Sequence, residues 1–234
     1  QAGYRVLLSD MDVARAEKGK AGIAKQLARA VEKEKITAEA LDAALANIDC
    51  VAGTDAFGPC DLVIEAATER ETIKRQIFEA VGKVLSDTAI LASNTSSIPI
   101  TRLAQASPDP ARFMGVHFFN PVPVMGLIEL IRGLATSDAT VAAVEAYGKT
   151  LNKRIVHAND APGFIVNRVL MPFLNEACFA LGEGVATIPD IDAAIQLGLN
   201  HPMGPFTLAD FIGLDTCLEI TRVLHDGTGD PKFR

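Results

Sequence analysis

Short apolar runs alternate with longer segments of helical periodicity through the first two thirds of the chain. The run Tyr4–Ser9 predicts a strand that leads into Asp10, and the segment from Val13 to about Lys35 repeats apolar residues at helical spacing. Further strands are predicted at 48–51, 61–66, 89–92, 113–117, 127–131 and 154–157, and further helices at 38–46, 69–85, 100–106 and 140–151. Strands that alternate with helices favour a parallel, doubly wound sheet, so we predict an α/β domain.

The pattern changes after Ala158, where no further strand is predicted. A long segment that is apolar on most sides predicts a central, buried helix, which starts at Asp160-Ala161-Pro162 with Asp160 as its cap. Thr187 is expected to cap a second helix that stops at Gly198, and more helices are predicted across 206–224. We therefore predict two domains, an α/β domain of residues 1–158 and an all-helical domain of residues 159–234.

Composition narrows the class of protein. The 234 residues are 49% hydrophobic and 22% charged with a net charge of -7, which disfavours a disordered chain and a general nucleic-acid binder. No apolar run approaches the roughly 18 residues that a membrane span needs. Four cysteines form no CxxC pair and four histidines lack ligand spacing, so we expect reduced thiols, no metal site and a cytoplasmic protein.

Asp10 is the first candidate ligand-binding residue. In a dinucleotide-binding fold, an acidic residue at the end of the second strand accepts hydrogen bonds from the adenosine ribose. A helix cap or an ordinary strand-end acid explains the same residue equally well. No glycine-rich phosphate loop follows any predicted strand, so this interpretation places the amino-terminal strand and its loop upstream of Gln1.

The helix after Asp10 is basic within an acidic protein. Such a reversal of charge indicates a polyanionic partner such as a nucleotide phosphate, although a solvated helix face is the simpler alternative. The seven basic residues are Arg15, Lys18, Lys20, Lys25, Arg29, Lys33 and Lys35.

The strongest set of candidate residues lies between Ser93 and Glu129. The polar segment 93–97 follows a buried strand, at the sheet edge where open α/β proteins bind ligands. His117 comes next, and Glu129 follows twelve residues later beyond a bend that contains Pro121 and Pro123. Two strands that fold back at this bend can bring the imidazole and the carboxylate together as a general acid/base pair. A lone histidine among aromatic residues is otherwise more often part of a core.

Four segments are similar to the L-3-hydroxyacyl-CoA dehydrogenase family, and its bacterial 3-hydroxybutyryl-CoA dehydrogenases resemble the chain most. The segments are SNTSS (93–97), GVHFFNPVPVMGLIEL (115–130), DAPGFIVNRVL (160–170) and HPMGPFTLADFIGLDT (201–216). The resemblance runs along essentially the whole chain. It implies a Rossmann-like NAD-binding domain followed by a helical substrate-binding and dimerisation domain. The family's amino-terminal glycine-rich loop and its carboxyl-terminal Lys-Thr-Gly-x-Gly-Phe-Tyr segment are not found in this sequence.

The resemblance also implies a role for individual residues. His117 would be the catalytic acid/base and Glu129 its orienting partner, while Ser96 and Asn167 would position the thioester substrate and its 3-oxygen. Asp10 would bind the adenosine ribose and favour NAD over NADP. Lys33 would contact coenzyme A. The remaining positions that match cofactor contacts are Glu69, Lys74, Asn94, Ser96 and Asn120.

The implied activity is the NAD-dependent oxidation of a short-chain L-3-hydroxyacyl-CoA to the 3-ketoacyl-CoA, and its reverse, as in the β-oxidation of fatty acids. Two alternatives stay open, a dehydrogenase of a free 3-hydroxy acid on the same scaffold and a non-catalytic nucleotide-binding relative. Apolar residues in the helical region exceed what a domain of that size can bury, so we expect a homodimer joined through residues 160–225. The α/β domains are expected to be outermost.

Overall fold

The apolar runs that alternate with helices form two sheets, with strand orders β1-β2 and β3-β4-β5-β6-β7. The computed structural model describes residues 1–233. Its strands are β1 (Val6–Asp10), β2 (Ile48–Ala52), β3 (Leu62–Glu65), β4 (Ile90–Ser93), β5 (Phe113–Phe118), β6 (Leu127–Arg132) and β7 (Arg154–Asn159). Neighbours β1–β2, β3–β4 and β4–β5 are parallel, whereas β5–β6 is antiparallel. The reversal follows from the short proline-containing connection, which has no room for a crossover helix.

The helices follow the predicted periodicity closely. Four of them start at a side chain that accepts a hydrogen bond from the first turn, namely Asp12, Thr37, Ser137 and the predicted cap Thr187. The helices are α1 (Val13–Glu32), α2 (Ala38–Ala46), α3 (Glu71–Gly82), α4 (Ile100–Ala104), α5 (Asp138–Thr150), α6 (Val166–Gly182), α7 (Ile188–Gly198), α8 (Pro205–Ile212) and α9 (Leu214–Thr228). An α/β region followed by a helical region confirms the predicted fold class.

The chain forms two compact units, each with its own apolar core. The first unit consists of residues 1–95 and 100–157, and the second of residues 96–99 together with the chain from Ala158 onward. In the first unit the core lies between the larger sheet and α5, and includes Met114, Val116, Ile128, Leu130 and Val144. In the second unit the core lies among α6, α8 and α9, and includes Met171, Leu174, Ala209 and Leu224.

One face of the larger sheet carries the apolar core, and the other, the mixed face, combines apolar side chains with polar ones. Successive side chains of a strand point to opposite faces, so Met114 and Val116 enter the core beside α5. Phe113, Gly115 and His117 then share the other face, where Phe113 packs edge-on against Phe78 of α3. A Cβ at Gly115 would lie 2.8 Å from Ile100, so glycine is needed for α4 to approach the sheet.

Helix α6 begins later than the sequence predicts. It does not start at Asp160-Ala161-Pro162, because Gly163 and Phe164 in the turn that follows have φ values of 75° and 50°, which no α-helix contains. A Cβ at Gly163 would lie 2.6 Å from the Leu224 side chain, so this turn packs tightly against α9. The helix starts at Val166, and a contact with a distant helix thus decides its first residue.

The prediction that α6 is a central, buried helix holds for only one side of it within this chain. Met171, Leu174 and Ala177 are buried, but Val169 is 67% exposed and Phe179 is 46% exposed. The helix therefore presents one apolar stripe to the core of the second unit and leaves other apolar side chains uncovered.

Candidate active site

His117 and Glu129 form a buried hydrogen-bonded pair on the mixed face of the larger sheet. They are directly opposite each other in the antiparallel register of β5 and β6. The His117 Nδ1 and Glu129 Oε2 atoms are 2.7 Å apart, and the two residues are 6% and 0% exposed. A carboxylate that accepts a hydrogen bond from Nδ1–H fixes the imidazole tautomer and makes Nε2 the nitrogen without a proton.

The imidazole is also restrained by an aromatic neighbour. The rings of His117 and Phe119 are inclined at 54° with centroids 4.6 Å apart. Pairing with Glu129 on one side and ring contact on the other restrict the orientation of the His117 side chain. A general base needs this kind of restraint, because proton transfer requires the basic nitrogen at a defined position.

Asn94 connects the carboxyl end of β4 to the carboxyl end of β5. Its side-chain Oδ1 atom accepts a hydrogen bond of 2.8 Å from the backbone N–H of Phe118. The backbone N–H of Asn94 donates to the backbone carbonyl of Glu65. The contact with Phe118 uses the oxygen of the side-chain amide, so the NH2 group of Asn94 points away from Phe118. Asn94 and His117 are therefore held at the carboxyl ends of neighbouring strands, where ligands bind in open α/β folds.

A buried ion pair joins Lys74 to Glu65 at the carboxyl end of β3, and Glu65 was not among the predicted site residues. Glu65, the last residue of β3, is 5% exposed and Lys74 of α3 is 1% exposed. The Lys74 Nζ atom is 2.9 Å and 2.7 Å from the two carboxylate oxygens of Glu65. Ser93 Oγ and the backbone N–H of Ala67 also donate to this carboxylate, so four contacts converge on it. The available signal was an acidic residue at the end of an apolar strand, the same signal that marks Asp10.

Glu69 extends this ion pair toward the surface. Its Oε2 atom is 3.4 Å from Lys74 Nζ, and its Oε1 atom accepts a hydrogen bond of 2.7 Å from Thr95 Oγ1. The Glu69 side chain is 41% exposed, whereas that of Lys74 is 2% exposed. Glu69 and Lys74 are both among the residues predicted to contact the cofactor. Of this pair Glu69 is the accessible residue, because the ammonium of Lys74 is buried between the carboxylates of Glu65 and Glu69.

Two family models together match almost the whole chain. The NAD-binding domain of 3-hydroxyacyl-CoA dehydrogenase matches residues 1–161, and the carboxyl-terminal domain of the same enzyme matches residues 163–234. The chain belongs to the 3-hydroxyacyl-CoA dehydrogenase family. Membership places the candidate site on an NAD-binding scaffold and identifies NAD as the cofactor of the first unit.

Individual relatives of this dehydrogenase family match along the full chain. A 3-hydroxybutyryl-CoA dehydrogenase of Bradyrhizobium diazoefficiens is 52% identical, over 100% of this chain and 80% of the relative. A probable 3-hydroxybutyryl-CoA dehydrogenase of Deinococcus radiodurans is 50% identical, over 100% of this chain and 84% of the relative. The crystal structure of (S)-3-hydroxybutyryl-CoA dehydrogenase PaaH1 from Ralstonia eutropha superposes with a TM-score of 0.96 at 48% identity, over 100% of this chain and 82% of that one.

The residues at the end of β1 fit the adenosine half of NAD. Asp10 is exposed, and its Oδ1 atom accepts a hydrogen bond of 2.7 Å from the Met11 N–H. This contact leaves Oδ2 for a ligand, and a carboxylate suits the two hydroxyls of an unphosphorylated ribose. Asn120, another predicted cofactor contact, is exposed in the connection between β5 and β6.

The remaining predicted site residues belong to other segments of the chain. Ser96 and Asn167 both belong to the second unit and are half-buried there. Lys33 is the exposed residue that ends α1. Lys20 donates from Nζ to the carbonyl of Ile48 and Arg15 pairs with Asp12, while the other basic residues of this region are exposed, namely Lys18, Lys25, Arg29, Lys33 and Lys35.

The structure of residues 1–233 also bears on metal binding, membrane insertion and the reactivity of the cysteines. Within that range no three His, Cys, Asp or Glu side chains are grouped so that they could hold a metal ion, and no helix is long and apolar enough to cross a membrane. The four cysteines are free thiols. Burial raises the pKa of the Cys60 and Cys217 thiols, and a raised pKa lowers the fraction of reactive thiolate at neutral pH.

Proposed function

We propose that this protein oxidises short-chain L-3-hydroxyacyl-CoA thioesters, with 3-hydroxybutyryl-CoA as substrate, to 3-ketoacyl-CoA, and catalyses the reverse reaction. The observation that carries the proposal is the buried His117–Glu129 pair, with 2.7 Å between its atoms, at the edge of an NAD-binding sheet. The names of full-length relatives at about half identity support the choice of substrate.

His117 is the proton carrier in this mechanism. Its Nε2 atom accepts the proton of the substrate 3-hydroxyl, and the Glu129 carboxylate stabilises the imidazolium that forms. Bound NAD supplies the hydride acceptor for the substrate carbon. In the reverse direction the imidazolium returns the proton to the 3-oxygen. An imidazole suits both directions because its ordinary pKa lies near neutral pH.

Ser96 and Asn167 complete the proposed set of substrate-binding groups. A hydroxyl and an amide can donate hydrogen bonds to the 3-oxygen and the thioester, which the family resemblance implies for these two positions. Such donors stabilise oxygen atoms that gain negative charge during reaction. Lys33 and its exposed basic neighbours on α1 offer positive charge for the phosphates of coenzyme A.

An absorbance assay at 340 nm tests the proposed function. Purified protein with NADH should consume acetoacetyl-CoA and leave free acetoacetate unreacted. Turnover of free acetoacetate instead would favour the free-acid dehydrogenase, and NADH binding without turnover of either compound would favour the non-catalytic relative.

We expect Asp10 to set the choice of cofactor. The unmutated enzyme should prefer NADH over NADPH, because the exposed Asp10 carboxylate repels a ribose 2′-phosphate. Asp10→Ala should lower the ratio of kcat/KM with NADH to kcat/KM with NADPH about tenfold. This factor corresponds to about 1.4 kcal/mol of charge repulsion near a protein surface. Asp12→Ala is the matched control, because that carboxylate caps α1. Equal efficiency with NADPH in the unmutated enzyme would show that Asp10 is only a strand-end acid.

We also propose a homodimer joined mainly through residues 160–225. Exposed apolar side chains of the second unit support it, among them Phe211 at 71%, Leu197 at 86% and Leu214 at 67%. Residues 160–225 contain five phenylalanines, of which Phe179 and Phe211 are exposed. Two-fold dimers are the commonest way to cover such a surface.

Sedimentation at micromolar concentration tests the dimer. Wild-type protein should sediment as twice its 24.8 kDa mass, and Phe211→Glu should shift it toward monomer because it places a charge in the apolar surface. Leu134→Glu is the control, since Leu134 is 90% exposed in the first unit. A monomeric wild type, or a dimer disrupted by Leu134→Glu instead, would contradict this assignment.

The proposal places the protein in the cytoplasm without a nucleic-acid or membrane partner. Four free thiols, two of them with a pKa raised by burial, suit a reducing compartment.

A further inference from the structure

Glu65 lies on the same face of the larger sheet as His117, as the register of the strands shows. It is paired with Ser93 of β4, and Ser93 is paired with Gly115 of β5, two residues before His117. Residues in register on neighbouring strands share a face, so the carboxylate of Glu65 lies on the same face as the His117 imidazole. The opposite face carries the apolar core.

The contacts of Glu65 reach three segments of the chain. Its carboxylate binds Lys74 Nζ on α3 through both oxygens, at 2.9 Å and 2.7 Å. It accepts a hydrogen bond of 2.8 Å from Ser93 Oγ on β4, and one of 2.7 Å from the Ala67 N–H in the loop that follows β3. A buried carboxylate with this many donors is held in one orientation and holds its partners in turn.

These partners lead to the groups that we propose to contact NAD. Lys74 is also 3.4 Å from the Glu69 carboxylate, which the ammonium therefore attracts and restrains. Ser93 Oγ accepts a hydrogen bond from the Thr95 N–H, so the backbone on both sides of Asn94 is fixed relative to Glu65. Glu65 itself is 5% exposed and is thus poorly placed to bind a ligand directly.

We propose that Glu65 is a positioning residue of the cofactor site, which fixes Lys74 and the Ser93–Thr95 segment so that Glu69 and Asn94 are in place before NAD binds. This inference rests on the proposed function. Sites whose binding groups are held in advance lose less conformational freedom on binding, so loosening the support weakens affinity.

A fluorescence titration of the full chain with NADH alone measures this role without catalysis. Glu65→Gln keeps the shape of the side chain but leaves the Lys74 ammonium without its main counterion, and should raise the Kd for NADH about tenfold. Ser93→Ala removes one link and should raise the Kd about threefold. Glu71→Gln is the matched control, because Glu71 lies on the same helix as Lys74 but pairs with Arg102 of α4, and its replacement should leave the Kd unchanged.

A purely structural role would give a different result. It would lower the melting temperature and the number of binding sites per chain, but the protein that folds would bind NADH with the wild-type Kd. If Glu65→Gln does not fold, the double variant Glu65→Gln, Lys74→Met removes both buried charges together. It should fold and bind NADH as weakly as Lys74→Met alone, because a glutamine oxygen at position 65 can still accept from Ser93 and Ala67, so that only the link to Lys74 is lost.

The outcomes separate the two proposals. Wild-type Kd values in the folded Glu65→Gln and Ser93→Ala variants would overturn the positioning role and leave the proposed function intact. A double variant that binds NADH at least tenfold more weakly than Lys74→Met would overturn the route through Lys74. Wild-type protein that neither binds NADH nor reduces acetoacetyl-CoA would overturn the proposed function and the positioning role together.

Discussion

Replacing His117 with glutamine should lower turnover by about 10²- to 10⁴-fold, the usual contribution of a general acid/base, while NADH still binds with its wild-type Kd. Glutamine has no group that accepts a proton near neutral pH, so the substrate hydroxyl loses its base. Its amide N–H can still donate to Glu129, which keeps the buried carboxylate hydrogen-bonded and the fold intact.

The measurement is kcat with acetoacetyl-CoA at 340 nm, together with the Kd for NADH by fluorescence. His157→Gln is a matched control, because His157 also faces a glutamate, Glu145, at 3.5 Å but on the exposed surface of the same unit. It should keep wild-type turnover. Near-normal turnover by His117→Gln would refute the proposed mechanism.

Replacing Glu129 with glutamine should lower kcat by about 100-fold or more, with a much smaller change in the substrate KM. The carboxylate accepts from Nδ1–H and so keeps the proton off Nε2, the proposed base. A glutamine amide can instead donate to Nδ1, which moves the imidazole proton to Nε2 and blocks the base. The neutral amide also fails to stabilise the imidazolium.

The split between kcat and KM separates this orienting role from a role in substrate binding. Glu145→Gln is the control, since it removes the half-buried carboxylate that faces His157 and should change neither constant. An increase in KM at unchanged kcat would show that Glu129 serves substrate binding rather than the imidazole.

Local signals predicted the elements of this fold well. Thr187 starts α7 by accepting a hydrogen bond from the Asp190 N–H, and the helix ends at Gly198 as its periodicity indicated. The proline-containing bend predicted that β5 and β6 fold back on each other, and their antiparallel register has this form. Each of these features depends on residues close together in sequence, whose conformational preferences act within a few positions.

The start and the exposure of α6 were predicted wrongly for a common reason. Asp160 followed by a proline is a typical helix start, yet the packing of Gly163 against Leu224 holds this segment in a turn. Helical periodicity shows which side chains are apolar but not how many the rest of the chain can cover. Val169 and Phe179 are apolar and exposed for this reason.

The sequence by itself determined the alternation of strands and helices, the change to an all-helical region after Ala158, and the candidate pair His117 and Glu129, because periodicity, caps and turns are local properties. Only the tertiary structure decided the 2.7 Å distance between those two side chains and the buried contacts of Glu65 with Lys74 and Ser93. Ser93 lies 28 residues from Glu65 in the chain, and the two meet only because β3 and β4 are neighbours in register. Strand order and register arise from packing of the whole sheet, which no short segment encodes.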